Sequence, residues 1–384
     1  MATRSNIQQV FDSGWDSFRS SFNPTAQQRR AASAIMNCRT PKMGFNSMVC
    51  PDCGAFAIHY NSCRNRNCPN CQALQKELWI DKRKAEVLDA PYFHIVCTVP
   101  AELNPVIYAN QELLYDLLHK ASSDMLLSLS ADRKYLGAVP GIIQVLHTWG
   151  RQVNFHPHIH CIVSGAGLSP DGKLLKKGSS FFIPVKVMQA VFRGKFLAGL
   201  QLLYSEGKLR FPSSCARLRN SFAWNEFRDS LYKKDWNVNV KETFNGNGNA
   251  IEYLGRYVFR IAISNARILS VRDGNVSFSF FDFKDQRKKV LSISCSEFIR
   301  RFLMHVLPPG FQKVRYYGFL NNRARSRRLS EIFRIQGHQS FRSLYSGMSR
   351  PDILKRIWNL DIRRCPSCGG CHMTEGMRTL PMRC

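Results

Sequence analysis

Two Cys-Pro-x-Cys knuckles, Cys50-Pro51-Asp52-Cys53 and Cys68-Pro69-Asn70-Cys71, stand 14 residues apart, and few features restrict the folding of a chain so tightly. Each knuckle turns two thiolates toward one point, and two knuckles supply the four sulfurs of a tetrahedral zinc site. The pattern predicts one structural zinc on Cys50, Cys53, Cys68 and Cys71, with Cys38 and Cys63 as alternative ligands or buried thiols. A further run, Cys365-Pro-Ser-Cys368-Gly-Gly-Cys371, repeats the knuckle near the C-terminus, with His372 or Cys384 available as a fourth ligand. Of the 14 cysteines, six lie between Cys38 and Cys71 and four between Cys365 and Cys384, a clustering that argues for metal. Disulfide frameworks belong instead to short secreted chains.

Charge narrows the partner. Lys and Arg number 55 against 27 Asp and Glu, a net +28 spread along the 384 residues, which suits a polyanion whose phosphates release counterions on contact. An anionic membrane surface would also accept such a field. The sequence has no apolar run of about 18 residues, and MATRSNIQQVFDSGWDSF carries no signal-peptide core, so a cytoplasmic protein without a membrane span is expected.

Periodicity sketches the elements. Phe11, Trp15 and Phe18 recur at helical spacing, LQKELWIDKRKAEVL reads as a helix after the second knuckle, and YFHIVCTV as a strand followed by a long amphipathic helix. GIIQVLHTW and HPHIHCIVSGAGL are β-rich, PVKVMQAVFRGKFLAGLQLLY is helical, and NGNGN at 245–249 marks a loop. Asp273-Gly274 between alternating runs predicts a hairpin. SEFIRRFLMHVLPPG reads as a helix capped by Ser296 and halted by Pro308-Pro309.

Four of ten histidines, His147, His156, His158 and His160, fall within one short stretch. On a strand, residues 158 and 160 face one side while Ile159 points into the core, so two imidazoles aim at one point, as a divalent metal requires. A neighbouring strand can bring the third ligand. His147 is the first candidate and His156 the second. Further on, Tyr253-Leu-Gly-Arg-Tyr257 places two phenols one helical turn apart, with Arg256 and Arg260 as cations able to hold phosphate.

The order of NSCRNRNCPNC, HPHIHCIVSGAGL, YLGRYVFRIAISNARI, FIRRFLMHVLPPGF and VRYYGFL closely resembles the two-tyrosine HUH transposases of the insertion sequence 91 group, from about Cys38 to about Cys371. The resemblance implies an α+β fold: a nuclease domain with a central antiparallel sheet flanked by helices, preceded by a helical zinc-binding domain and followed by a small cysteine knuckle. The boundaries expected are 1–88, 89–345 and 346–384. It implies a transposase in which His158 and His160 hold a divalent metal, Mg or Mn, and Tyr253 and Tyr257 are the nucleophiles. A histidine eleven residues before the motif also resembles the three-histidine set of conjugative relaxases, which favours His147. DNA, single-stranded at the element ends, is the expected partner, with Arg256, Arg260, Arg323, Arg325, Arg327 and Arg328 as candidate contacts. Two alternatives stay open: a zinc-dependent DNA-binding regulator with structural histidines, and a relaxase or replication initiator.

Overall fold

Apolar, β-branched runs near the middle of the chain build its largest sheet. The computed structural model describes residues 5–178, 183–243, 249–337, 342–370 and 373–380. Two helices, α1 (Asn6–Ser21) and α2 (Ala26–Asn37), lead into a hairpin of β1 (Phe45–Val49) and β2 (Phe56–Tyr60), then α3 (Ala73–Lys84). Both opening helices start on capping boxes, Ser5 with Gln8 and Thr25 with Gln28. Next come β3 (Tyr92–Thr98), α4 (Asn104–Ala109), α5 (Gln111–Ala131), β4 (Val139–Trp149), β5 (Phe155–Leu168) and β6 (Leu174–Lys176). The chain continues through α6 (Val185–Ser205), α7 (Ser221–Tyr232), β7 (Asn237–Thr243) and α8 (Asn249–Val258). It then forms β8 (Ile268–Arg272), β9 (Asn275–Asp282), β10 (Arg287–Ser294), α9 (Cys295–Leu303), β11 (Val314–Gly318), α10 (Arg325–Gln336), α11 (Arg350–Trp358) and β12 (Thr374–Arg378).

The central sheet runs β11-β4-β5-β3-β7, with β6 beside β5, and its pairings are antiparallel. The fold is therefore α+β, an antiparallel sheet flanked by helices. Because strand side chains alternate, its two faces are distinct. Ile142, Leu146, Ile159, Cys161 and Val163 pack with the apolar sides of α5 and α6 in one core. Ile143, Val145 and Ile162 face the other way, into a core shared with Ile80 of α3, Ile251 and Val258 of α8, and Leu329, Ile332 and Phe333 of α10. The site lies on this second face.

The Asp273-Gly274 turn joins β8 to β9 with both residues at positive φ, 49° and 71°, the backbone of a tight hairpin. Two helix-end expectations need correction. Ser294, rather than Ser296, caps α9, its hydroxyl accepting from the Glu297 N–H at 3.2 Å. That helix ends at Leu303, ahead of the proline pair, so the prolines do not halt it. Of the loop expected at 245–249, residues 245–248 lie outside the described residues and Asn249 opens α8. No described helix is long and apolar enough to cross a membrane.

Candidate active site and cysteine clusters

Register brings the histidines together. Strand β4 pairs with β5 so that His147 lies opposite His158, and two residues along β5 stands His160. The ring nitrogens these three can offer lie within 4.8 Å of one another. His158 Nδ1 donates to the His156 carbonyl at 2.7 Å, which leaves its Nε2 as a lone pair, 3.1 Å from His160 Nε2. Two imidazole nitrogens aimed at one another at that range form a donor set for a cation. Burial favours the neutral ring throughout: it pushes His158 down to about 4 and holds His147 and His160 well below the usual imidazole range. The site therefore fits a divalent ion. His156 contributes its carbonyl and stands outside the group of three.

A fourth histidine completes the cluster and was absent from the sequence reading. His94, on β3, is fully buried, its ring 5.0 Å from that of His160 and nearly parallel to it, with His94 Nε2 2.7 Å from His160 Nδ1. A partner on the outer nitrogen sets the tautomer and orientation of a ligating imidazole. The available signal was a single imidazole in an otherwise apolar strand, YFHIVCT.

Helix α8 covers these rings. The Tyr257 ring centroid lies 4.5 Å from that of His160, 5.2 Å from His94 and 5.9 Å from His147. The carbonyl of Tyr257 lies 2.7 Å from His147 Nε2, joining the helix backbone to the cluster. Tyr253 stands one turn earlier on the same helix; its side chain and that of Arg256 lie outside the described residues. Two further contacts hold α8. Gly255 lets α3 approach so closely that a Cβ there would lie 2.4 Å from Ile80 Cδ1. Lys313 Nζ donates to the carbonyls of Val258 and Arg260 at 3.1 and 2.9 Å, binding the negative end of the helix. Burial pushes the Lys313 ammonium down to about 7.

Beside the cluster opens a cavity of about 360 Å³, lined by Trp79, Trp149, Phe259 and Tyr316 together with Arg260 and Lys313. Trp149 stacks on His147 at 4.5 Å, so cavity and cluster are contiguous. The arginine run divides. Arg323 and Arg327 are exposed and Arg328 is half-buried, whereas Arg325 turns inward over the Tyr316 ring at 4.1 Å and donates to the Leu320 carbonyl. The Arg325 guanidinium is thus engaged within the protein, by that carbonyl and by Glu86 3.7 Å away.

The cysteines converge differently from their knuckle spacing. The two knuckles do not share a point: the β1–β2 hairpin carries Cys50 and Cys53 away from Cys68 and Cys71. Cys68 and Cys71 meet Cys38, at the end of α2, and Cys63, with Cys71 Sγ 3.3 Å from Cys38 Sγ and 3.6 Å from Cys63 Sγ. Cys38 and Cys63 are thus full members of a four-thiol group. Cys50 and Cys53 meet Cys365 and Cys368. Cys371, His372 and Cys384 lie outside the described residues.

A histidine pair on the central strand of an antiparallel sheet, set against a helix with two tyrosines, is the plan of the two-tyrosine HUH transposases. Residues 10–99 match the family described as "Transposase zinc-binding domain", and residues 141–328 that described as "Putative transposase". The chain belongs to the insertion sequence 91 family of transposases. It is 40% identical over 345 residues to "Putative transposase y4qJ" of Sinorhizobium fredii, spanning 89% of this chain and 87% of that one. It is 27% identical over 343 residues to "Transposase for insertion sequence element IS801" of Pseudomonas savastanoi pv. phaseolicola, spanning 87% and 80%. The conjugative relaxase TrwC, solved in a metal-bound complex with oriT DNA, aligns over 43% of this chain and 70% of its own at 12% identity, with a TM-score of 0.24, too slight a likeness to bear on function.

Proposed function

We propose that this transposase cuts and rejoins single-stranded DNA at the ends of an insertion element through 5′-phosphotyrosine links, moving the element by a rolling-circle-like route. The observation that carries this reading is the Tyr257 ring lying against the three imidazoles, 4.5 Å from His160. His147, His158 and His160 would hold Mg or Mn, with neutral rings suited to ligation. When bound, such an ion polarises the scissile phosphate and offsets charge in the transition state.

The protein's own groups do the rest. One tyrosine oxygen attacks phosphorus, the P–O3′ bond breaks, and the products are a tyrosyl 5′-phosphate and a free 3′-OH. The phosphodiester energy stays in the covalent link, so rejoining needs no nucleotide hydrolysis. A second tyrosine on the same helix can take a second strand, which permits exchange within one site. Arg260 lies close enough to the imidazoles to disfavour their protonation and lines the adjoining cavity, where it would meet phosphate. The cavity's aromatic walls suit an unstacked base of a single strand.

Incubation of the protein with labelled single-stranded oligonucleotides carrying element ends, in the presence of Mn, tests this. The expected result is an adduct that survives denaturation and disappears in the Tyr253→Phe, Tyr257→Phe double variant. An adduct that persists in that variant refutes the tyrosines as nucleophiles, and its absence across all end sequences refutes the proposal and favours a DNA-binding regulator.

A further inference from the structure

The knuckle at the tip of the β1–β2 hairpin and the knuckle near the C-terminus share one plan. In Cys50-Pro-Asp-Cys53-Gly54 the Gly54 N–H donates to the Cys50 carbonyl at 2.9 Å, and the Cys50 N–H to the Ala55 carbonyl at 2.9 Å. In Cys365-Pro-Ser-Cys368-Gly369 the Gly369 N–H donates to the Cys365 carbonyl at 3.0 Å, and the Cys365 N–H to the Gly370 carbonyl at 2.7 Å. Gly54 and Gly369 both take positive φ, 69° and 77°, a backbone that lets each loop turn its two sulfurs the same way. The loops face each other: Cys50 Sγ lies 3.7 Å from Cys368 Sγ, and Cys53 Sγ 3.7 Å from Cys365 Sγ. Those separations are far beyond a disulfide bond and suit four sulfurs around one ion.

Hydrogen bonds, among them the Met377 N–H to Ser47 Oγ at 2.7 Å and the Phe45 N–H to Thr379 Oγ1 at 2.8 Å, join these segments, but little apolar burial does. β12 adds antiparallel to β1, with Met48 opposite Glu375, Val49 opposite Thr374 and a register shift between Asn46 and Met48, and the Thr379 N–H donates to the Phe45 carbonyl at 2.9 Å. Every residue of β12 is exposed, and the buried core of the unit is Cys50, Cys365 and Met373. So small a core cannot stabilise a three-stranded sheet by apolar burial, and small units of this kind depend on a structural metal.

We propose that Cys50, Cys53, Cys365 and Cys368 bind a zinc ion of their own, one that joins the two ends of the chain and makes the C-terminal knuckle part of the N-terminal zinc module. The segment preceding that knuckle is tied to the same module at a second point, where Asp81 of α3 accepts from the backbone N–H groups of Leu344 and Tyr345 at 3.0 and 3.2 Å. The family match over residues 10–99 contains only half of these ligands.

Zinc released from the full-length protein by a mercurial reagent, which frees thiolate-held metal, tests the assignment. Wild type should release two zinc ions per chain, one from each four-cysteine group. The pair Cys365→Ser, Cys368→Ser should release one, and so should the pair Cys50→Ser, Cys53→Ser. The signature of a shared site is that changing all four cysteines still removes only one zinc. Cys53 and Cys368 are exposed, so Cys53→Ser alone and Cys368→Ser alone perturb no core, and Cys368→His should restore the zinc that Cys368→Ser loses. Loss of two zinc ions in the fourfold variant, or full retention in the Cys365→Ser, Cys368→Ser variant, overturns the proposal.

Discussion

His94 Nε2 faces the outer nitrogen of His160 at 2.7 Å, and that contact decides which nitrogen His160 turns toward an ion. Replacing His94 with Ala should weaken Mn binding roughly 10- to 100-fold, the usual effect of removing such a partner. Competition against a chelating dye measures the affinity, and unchanged binding would show that His160 is oriented by packing alone. The cluster was only partly legible in the sequence. His158 and His160 declare themselves by alternation around Ile159, and His147 by its place on the preceding strand. His94 does not, because one imidazole in an apolar strand looks like any buried polar residue until β3 is known to pair with β5. Arg325 shows the same limit: within NNRARSRR it resembles its neighbours, and only the fold sets its guanidinium over the Tyr316 ring, half-buried.

At the scale of elements, α8 depends on Gly255 for its approach to α3. A Val at that position meets the Ile80 side chain at less than contact distance, and Ile80 or the helix must shift, so Gly255→Val should cost about 1–3 kcal/mol. Urea unfolding measures the loss, and adduct formation should fall with it because the tyrosine helix shifts. Equal stability and activity would mean that Ile80 moves aside without consequence. Periodicity revealed the strands and long helices well, since burial on one side dictates their pattern. What each element packs against was hidden: α1 lies on α9, with Gly14 against Cys295, and nothing local in either segment names the other. Spacing pairs the two knuckles with each other, whereas the fold sets each beside other thiols, because ligand spacing describes one loop and says nothing of a loop three hundred residues away.

Across the whole molecule, two histidines outside the metal cluster link stability to pH. Burial pushes His119 down to about 3 and His305 down to about 4, so both are neutral in the fold. In the unfolded chain they titrate near 6.5. The unfolded state therefore takes up protons first as pH falls, and stability is intact above about 6.5 and lost progressively from there, down to about 4 for His305 and about 3 for His119, by up to about 1.4 kcal/mol per pH unit for each histidine. Denaturant midpoints measured between pH 7 and 4.5 should fall steadily; a flat profile would mean that the rings are already protonated in the fold. The excess of positive charge, +28 at pH 7, acts in the same direction as acid raises it further.

Mass spectrometry of the covalent complex tests the strand-transfer chemistry most directly. After protease and nuclease digestion, the nucleotide remnant should sit on the peptide containing Tyr253 and Tyr257, joined through a 5′-phosphate, while the released strand ends in a free 3′-OH. A remnant on any other residue, or a link through a 3′-phosphate, would contradict it.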